Sequence, residues 1–186
     1  MTRLASTLAA IDTANDADPD RREGAPAARL YGERMTAELD RLFPDAPDVL
    51  RIAARGQHIE RWTSPRSAYP EGKAGYLAWR RDLGAFHATR VGRIMAGQGY
   101  DASSIAEVER MIRKEGLKRD PLVQALEDVI CFTFLRWYFQ PFAAGRTPDE
   151  LEKIVEKTAR KMSDAARARA AAEFDLPPAM AVFFRA

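Results

Sequence analysis

Two histidines, His58 and His87, are the only imidazoles in this chain of 186 residues. Each recurs with apolar residues at intervals of four: Leu50, Ala54, His58 and Trp62 in one segment, and Leu83, His87, Val91 and Met95 in another. Residues four apart share one face of a helix, so both imidazoles are predicted to point inward. A buried imidazole needs a polar partner, which is either a hydrogen-bonding group of the core or a metal ion.

An acidic pair, Glu127 and Asp128, lies in the middle of the apolar segment 122–139. A buried carboxylate without a partner is strongly destabilising, so these acids require an ion pair or a metal. The candidate ion-pair partners are Arg34, Arg55, Arg61 and Arg90. The alternative is one divalent ion (zinc, iron or manganese) held by His58, His87 and Asp128, because imidazole and carboxylate suit these metals.

The segment 55–81 is basic and aromatic. It carries six cationic side chains, Arg55, Arg61, Arg66, Lys73, Arg80 and Arg81, and four large aromatic ones, Trp62, Tyr69, Tyr76 and Trp79. Cationic forks beside aromatic rings suit a phosphate or carboxylate attached to a flat group. We therefore predict a small anionic, phosphorylated compound as ligand, bound by Arg55, Arg61, Arg66, Trp62 and Tyr69. A solvated helix–loop–helix surface is the alternative.

Composition narrows the function classes. The net charge is only +2, which disfavours nucleic acid as a partner although a local basic patch remains open. The single cysteine, Cys131, excludes an internal disulfide, and as a nucleophile paired with a histidine it is the weaker alternative. No apolar run reaches the roughly 18 residues of a membrane span, so we expect a cytoplasmic protein and leave a homodimer open.

The elements that must position these residues are predicted to be helices. Prolines and glycines divide the chain into helical segments over about residues 3–14, 29–43, 47–62, 74–97, 103–116, 120–140 and 147–172. Asp120 and Thr147 each precede a proline and are predicted N-caps. No segment alternates like a strand. The prediction is an all-α protein of about seven helices in one domain, 1–186.

Seven strings spread over nearly the whole chain resemble a family known only as a domain of unknown function: AIDTAN, LYGERM, ARGQHIERW, GYLAWR, FHA, LEDV and KTARKMS. Some members of that family carry a glutamyl-tRNA synthetase label. Such an enzyme requires nucleotide-binding signatures, and this sequence has none, so we reject that label. The family resemblance implies no established reaction.

A remote resemblance is to the HD-domain metal-dependent phosphohydrolases, whose motif includes a His-Asp pair at a helix end and a late Asp on another helix. The stretch 50–59 is similar to the first of these helices, and His58 matches the histidine. Ile59 stands where the aspartate would be. The stretch 108–129 is similar to the second helix, with Asp128, or less well Glu127, at the matching place.

The first histidine of the HD motif falls in this chain at residues 31–35, where Tyr31 or Glu33 would have to replace it. His87 matches an additional histidine of some HD proteins. The resemblance thus implies a single HD-like helical domain with a motif broken at two positions. Dinuclear HD enzymes need more histidines than this chain has, so a mononuclear site is the expectation.

Together these patterns predict a mononuclear metal-dependent hydrolase of a small phosphorylated compound. The metal would lower the pKa of a bound water, and Glu127 or Glu33 would act as general base. One alternative is a mononuclear non-haem iron oxygenase with the same ligands. Another is a non-catalytic, degenerate HD-like protein that binds an anionic ligand.

Overall fold

The computed structural model describes residues 1–185 and is predominantly helical, with 73% of it in helices. This confirms the all-α class. The only sheet of the described residues is an antiparallel ribbon of two-residue strands, β1 (Arg21–Arg22) and β2 (Ala25–Pro26). The ribbon lies between the first two predicted helices, 3–14 and 29–43. The chain divides into two compact units, Met1–Gly116 and Leu117–Ala186.

The first unit contains five α-helices besides the ribbon: α1 (Arg3–Asn15), α2 (Ala27–Leu42), α3 (Asp48–Gly56), α4 (Gly72–Gly97) and α5 (Ala102–Ile112). Two short 3-10 turns, Arg61–Thr63 and Arg66–Ala68, link α3 to α4. Its fully buried side chains come from all five helices and from the turn after α3: Ile11, Met35, Leu39, Ile52, Ile59, Val91, Met95, Val108 and Met111. They form one apolar core.

Helix α3 is shorter than predicted, because it ends at Gly56 rather than near residue 62. A side chain at Gly56 would overlap Val91 of α4, so glycine permits the close approach of the two helices. Beyond it, Glu60 adopts a left-handed conformation with φ of 49°, which is incompatible with a continuing helix. His58 therefore lies in a turn and not on a helix.

Helix α1 holds α3 and this turn in place. Arg55 donates two hydrogen bonds of 2.7 Å to the carboxylate of Asp12, and Asn15 accepts the backbone N–H of Glu60 at 2.9 Å. Asn15 is buried, and Asp12 and Arg55 are largely so. These polar contacts fix the segment that carries His58 against the rest of the unit.

The second unit contains α6 (Pro121–Thr133), α7 (Phe139–Ala143), α8 (Pro148–Lys161), α9 (Asp164–Glu173) and α10 (Pro178–Ala181). Asp120 and Thr147 cap α6 and α8, which confirms both predicted caps. The predicted helix 120–140 is interrupted by a π-helical turn over Phe134–Tyr138, and the predicted helix 147–172 breaks at Ser163, which caps α9. The described residues thus form ten α-helices, and the count of about seven was too low.

None of the described helices combines the length and the apolar character that crossing a membrane requires.

Candidate functional site

The two histidines meet in the first unit. Their ring centroids lie 5.9 Å apart, with His58 in the turn after α3 and His87 on α4. The ring of Tyr31 stacks on His58 with a centroid distance of 4.0 Å. The Glu60 carboxylate binds Arg90 of α4 at 2.8 and 3.1 Å, which ties the turn to the helix that carries His87. Residues of α2, of the turn after α3 and of α4 therefore position the two rings.

One hydrogen bond defines the tautomer of His87. Its Nδ1 lies 2.7 Å from the backbone carbonyl oxygen of Ile59. A carbonyl oxygen can only accept, so Nδ1 carries the proton and Nε2 presents its lone pair. That Nε2 atom is buried and has no hydrogen-bond partner among residues 1–185. His87 thus carries a buried hydrogen-bond acceptor that is unpaired in the described part of the chain.

Both imidazoles are neutral near pH 7. Burial lowers the pKa of His87 to about 4, the hydrogen bond to Ile59 opposes this, and the nearby Arg61 and Arg80 add to it. Burial also lowers the pKa of His58 far below its usual value, with the positive charge of Arg61 as the next cause. Neutral imidazoles can act as bases, hydrogen-bond partners or metal ligands.

A cavity of about 350 Å³ adjoins the two rings. Three segments of the first unit line it: Gln57, His58 and Arg61 from the turn after α3; Arg80, Arg81, Leu83, Gly84, Ala85 and His87 from α4; and Ile112, Arg113, Lys114 and Glu115 from the end of α5. This volume falls within the range of about 300–1,000 Å³ that is typical of small-molecule sites. We call this cavity the histidine pocket.

The histidine pocket is strongly cationic. Arg81 pairs with Asp82, and Arg113 pairs with Glu109 and Glu115. In contrast, Arg61 and Arg80 form no ion pair within the described part of the chain. The guanidinium of Arg61 lies over the ring of Trp79 at 4.8 Å, and burial together with the charge of Arg80 lowers its pKa. Two uncompensated guanidinium groups thus face one cavity, an arrangement that favours an anion.

Of the five residues predicted to bind the anion, Arg61 alone lines the histidine pocket. Arg55 is bound to Asp12, as described above, and the guanidinium of Arg66 donates to the carbonyl oxygens of Tyr69 and Pro70 at 2.9 and 2.8 Å. The Tyr69 hydroxyl donates to Asp82 at 3.2 Å. Trp62 does not line the cavity. The polar groups of Arg55, Arg66 and Tyr69 are thus bonded to other groups of the protein.

The predicted general base Glu33 accepts a hydrogen bond from Arg29 at 3.0 Å and lies 3.9 Å from Arg55. Its side chain is 40% exposed, and it does not line the histidine pocket. Tyr31, the other residue at the position of the missing first histidine, stacks on His58 and so takes part in the site through its ring.

The acidic pair lies on α6 in the second unit, and both side chains are buried. Asp128 accepts hydrogen bonds from the Ser163 backbone N–H at 2.8 Å, the Ser163 hydroxyl at 2.7 Å and the Gln124 amide at 2.9 Å. Glu127 lies 3.8 Å from the Lys161 ammonium. The sequence offered only an arginine or a metal as partner for Asp128, whereas its carboxylate is satisfied by a helix cap and an amide.

Among residues 1–185 no group of three or more His, Cys, Asp or Glu side chains is placed to hold a metal ion. The lining of the histidine pocket supplies two imidazoles, several cations and one carboxylate, Glu115, which is paired with Arg113. The metal site of His58, His87 and Asp128 stays a prediction.

Six further polar residues line the histidine pocket, and the sequence did not indicate any of them as a ligand contact: Gln57, Arg80, Arg81, Arg113, Lys114 and Glu115. The sequence did contain a signal for Arg80. Arg80, Gly84 and His87 are spaced four and three residues apart and therefore share one face of α4. The residues at the end of α5 carry no such signal, since only the packing of α5 on α4 brings them to the cavity.

A sequence model of the family described as "Domain of unknown function (DUF4202)" matches residues 5–183, which confirms the resemblance to an uncharacterised family over nearly the whole chain. No curated protein and no solved structure matches it.

Proposed function

We propose, for a chain that belongs to the DUF4202 family of unknown function, that the histidine pocket binds a small anionic compound such as a phosphate ester. One observation carries this proposal. Arg61 and Arg80 face the cavity without a carboxylate partner in the described part of the chain. A bound anion would supply the missing counter-charge.

The energetics support an anion. The pKa of Arg61 is lowered by its own burial and by the charge of Arg80, so both effects destabilise its charged guanidinium group. A phosphate between the two side chains would turn this repulsion into two charge-assisted hydrogen bonds. The neutral His58 and His87 add no positive charge to the site.

The proposal is tested by calorimetric titration of the untagged protein with inorganic phosphate, pyrophosphate and sulfate at low salt. Arg80→Ala removes one guanidinium, and Arg93→Ala is the matched control because Arg93 is exposed on the same helix and does not line the cavity. We expect Arg80→Ala to weaken binding about tenfold or more, since a hydrogen bond to a charged group contributes roughly 1.5–3 kcal/mol. Arg93→Ala should bind like the wild type.

Binding of none of these anions, or an equal loss in both variants, would contradict the proposal. Circular dichroism spectra of the two variants must match the wild type, so that lost binding is not lost folding.

A second candidate function is metal-dependent hydrolysis of the same compound, in line with the HD-like resemblance. The observation that favours it is the hydrogen bond from His87 Nδ1 to the Ile59 carbonyl, because metal-bound histidines usually donate their second ring N–H in this way. His58 and His87 would hold the ion, and the substrate and water would complete its ligands. When bound, the metal would supply an acidified water molecule as nucleophile.

Elemental analysis of protein purified without added metal or an affinity tag tests this second function. We expect a bound zinc, manganese or iron ion to be lost in His87→Gln and retained in Arg80→Ala, because only the first substitution removes a ligand. Phosphatase activity that survives chelation would contradict the metal-dependent mechanism. Oxygen uptake with bound iron would favour the oxygenase instead.

A further inference from the structure

Two residues that line the histidine pocket each carry a buried polar atom without a hydrogen-bond partner among residues 1–185. These atoms are Nε2 of His87 and Oε1 of Gln57, on side chains that are 3% and 5% exposed. Buried polar atoms in folded proteins are almost always paired. Two unpaired atoms on residues that line one cavity indicate that a ligand supplies the partners.

Both unpaired atoms are acceptors. The bond to the Ile59 carbonyl places the proton of His87 on Nδ1 and leaves Nε2 as a lone pair. The Oε1 atom of Gln57 is an amide oxygen and can only accept. A fully ionised phosphate or carboxylate also offers only acceptors, so it cannot satisfy either atom. The anion and the partner of these acceptors must therefore be different parts of the ligand.

A neutral donor fits better than a cationic one. The positive charges of Arg61 and Arg80 act on His87, so an ammonium group beside Nε2 would be repelled. A hydroxyl group donates one hydrogen bond, carries no charge and is small enough to share a cavity of about 350 Å³ with a phosphate. Polyol and sugar phosphates combine both groups.

We propose that the ligand of the histidine pocket is a hydroxylated phosphate ester. Its phosphate contacts Arg61 and Arg80, and its hydroxyl groups donate to Nε2 of His87 and Oε1 of Gln57. This inference rests on the proposed function and adds the class of ligand to it.

The test compares two ligands that differ only in their hydroxyl groups: glycerol 1-phosphate and n-propyl phosphate. Calorimetry with the full-length protein, in the presence of a chelator, should give at least about tenfold tighter binding of glycerol 1-phosphate, because each unpaired buried acceptor penalises the alkyl analogue. Glycerol without phosphate should not bind measurably, since it lacks the anion.

Two substitutions assign the preference to the named atoms. Gln57→Met keeps the length of the side chain and removes the acceptor, and His87→Phe keeps a ring of similar position. Each should reduce the preference for glycerol 1-phosphate, because the variant loses a hydroxyl contact and no longer penalises n-propyl phosphate. Arg80→Ala should weaken both phosphates alike and keep the preference. If His87→Phe does not fold, Gln57→Met alone decides.

The outcomes separate the two proposals. If neither phosphate binds, the proposed anion site fails, and this inference fails with it. If both phosphates bind equally well, the anion site stands and the hydroxylated ligand is overturned. A preference that Gln57→Met leaves unchanged, together with an unchanged or unfolded His87→Phe, likewise overturns the assignment of the hydroxyl contacts.

Discussion

At the scale of single residues, one backbone carbonyl determines what His87 can do. The Ile59 oxygen fixes the proton on Nδ1, burial keeps the ring neutral, and the lone pair of Nε2 has no partner in the described part of the chain. The same ring would be an anion-binding cation if its pKa were unperturbed and the pH slightly acidic. Charge and hydrogen-bond acceptance are therefore divided between arginines and imidazole in this site.

The lowered pKa of His87 predicts a loss of stability in mild acid. Because its pKa falls from 6.5 to about 4 on folding, the unfolded chain binds more protons between these values. The stabilisation is complete above pH 6.5 and is lost as the pH falls towards 4, by about 3 kcal/mol for this group. Urea unfolding of the wild type and of His87→Phe from pH 4 to 8 measures it.

We expect the difference in unfolding free energy between these two proteins to shrink as the pH falls, since only the wild type carries the acid penalty of His87. Groups remote from His87 titrate in both proteins and cancel. His58 does not cancel fully, because the charge of His87 is one of the causes that lower its pKa. An NMR titration in which the His87 ring protonates near pH 6.5 would contradict the prediction.

The same residues show how much of the site could be predicted from the sequence. The four-residue spacing around His58 and His87 predicted that both rings point inward, and their centroids lie 5.9 Å apart. It placed His58 on a helix, whereas α3 ends at Gly56. Neither the tautomer of His87 nor the isolation of Arg80 from carboxylates could be predicted, because both depend on tertiary neighbours.

At the scale of elements, Gly84 opens the face of α4 towards the histidine pocket. A Cβ atom there would meet no atom closer than the Cα of Arg113 at 4.0 Å, and the backbone is ordinary helix. We predict that Gly84→Leu fills the cavity and abolishes phosphate binding while the helix content is kept, because leucine is a good helix former. Calorimetry and circular dichroism measure the two properties.

Gly97→Leu is the matched control for this substitution. Gly97 lies at the exposed end of the same helix, and no atom lies within 4 Å of a Cβ built at that position. Its leucine variant should bind phosphate like the wild type. Undiminished binding by Gly84→Leu would mean that the anion occupies another place.

In the second unit, Asp128 links α6 to the start of α9. Ser163 caps α9 through the Ala166 N–H at 3.1 Å and donates both its hydroxyl and its backbone N–H to Asp128. We predict that Asp128→Ala and Ser163→Ala are each destabilising and that their double-mutant cycle gives a coupling of about 0.5–3 kcal/mol in urea unfolding.

Thr147→Ala supplies the control cycle, because Thr147 caps α8 and has no bond to Asp128 in the described part of the chain. Its effect should add to that of Asp128→Ala within about 0.5 kcal/mol. Additivity in the Ser163 cycle as well would remove the structural role assigned to Asp128.

Element boundaries were predictable where a cap and a proline coincide, as at Asp120 and Thr147. The break at Ser163 carried its own signal, a serine before an acidic first turn, but the alanine-rich sequence after it favoured a continuous helix. The π-helical turn at Phe134–Tyr138 has no signal in the sequence, because its apolar residues suit any helix.

At the scale of the whole molecule, a nearly neutral chain contains a local concentration of positive charge. Lys and Arg number 29 against 27 Asp and Glu, and most arginines of the described residues have acidic or carbonyl partners. The net charge of the chain therefore does not indicate whether it binds an anion. What favours an anion is that Arg61 and Arg80 lack such partners, which only the folded structure shows.

A ligand in the histidine pocket should stabilise the first unit. This unit contains Trp62 and Trp79, whereas Trp137 is the only tryptophan of the second. In Trp137→Phe, tryptophan fluorescence reports on Met1–Gly116 alone. A ligand that binds only the folded pocket adds about 2.7 kcal/mol of stability at 100 times its Kd. We expect glycerol 1-phosphate to raise the urea midpoint of this variant, and the shift to shrink with added salt, because salt screens charge pairs at a partly open site.

The same variant with Arg80→Ala is the control and should need about tenfold more ligand for an equal shift. A midpoint that stays constant at saturating ligand would show that the folded first unit has no site for this phosphate.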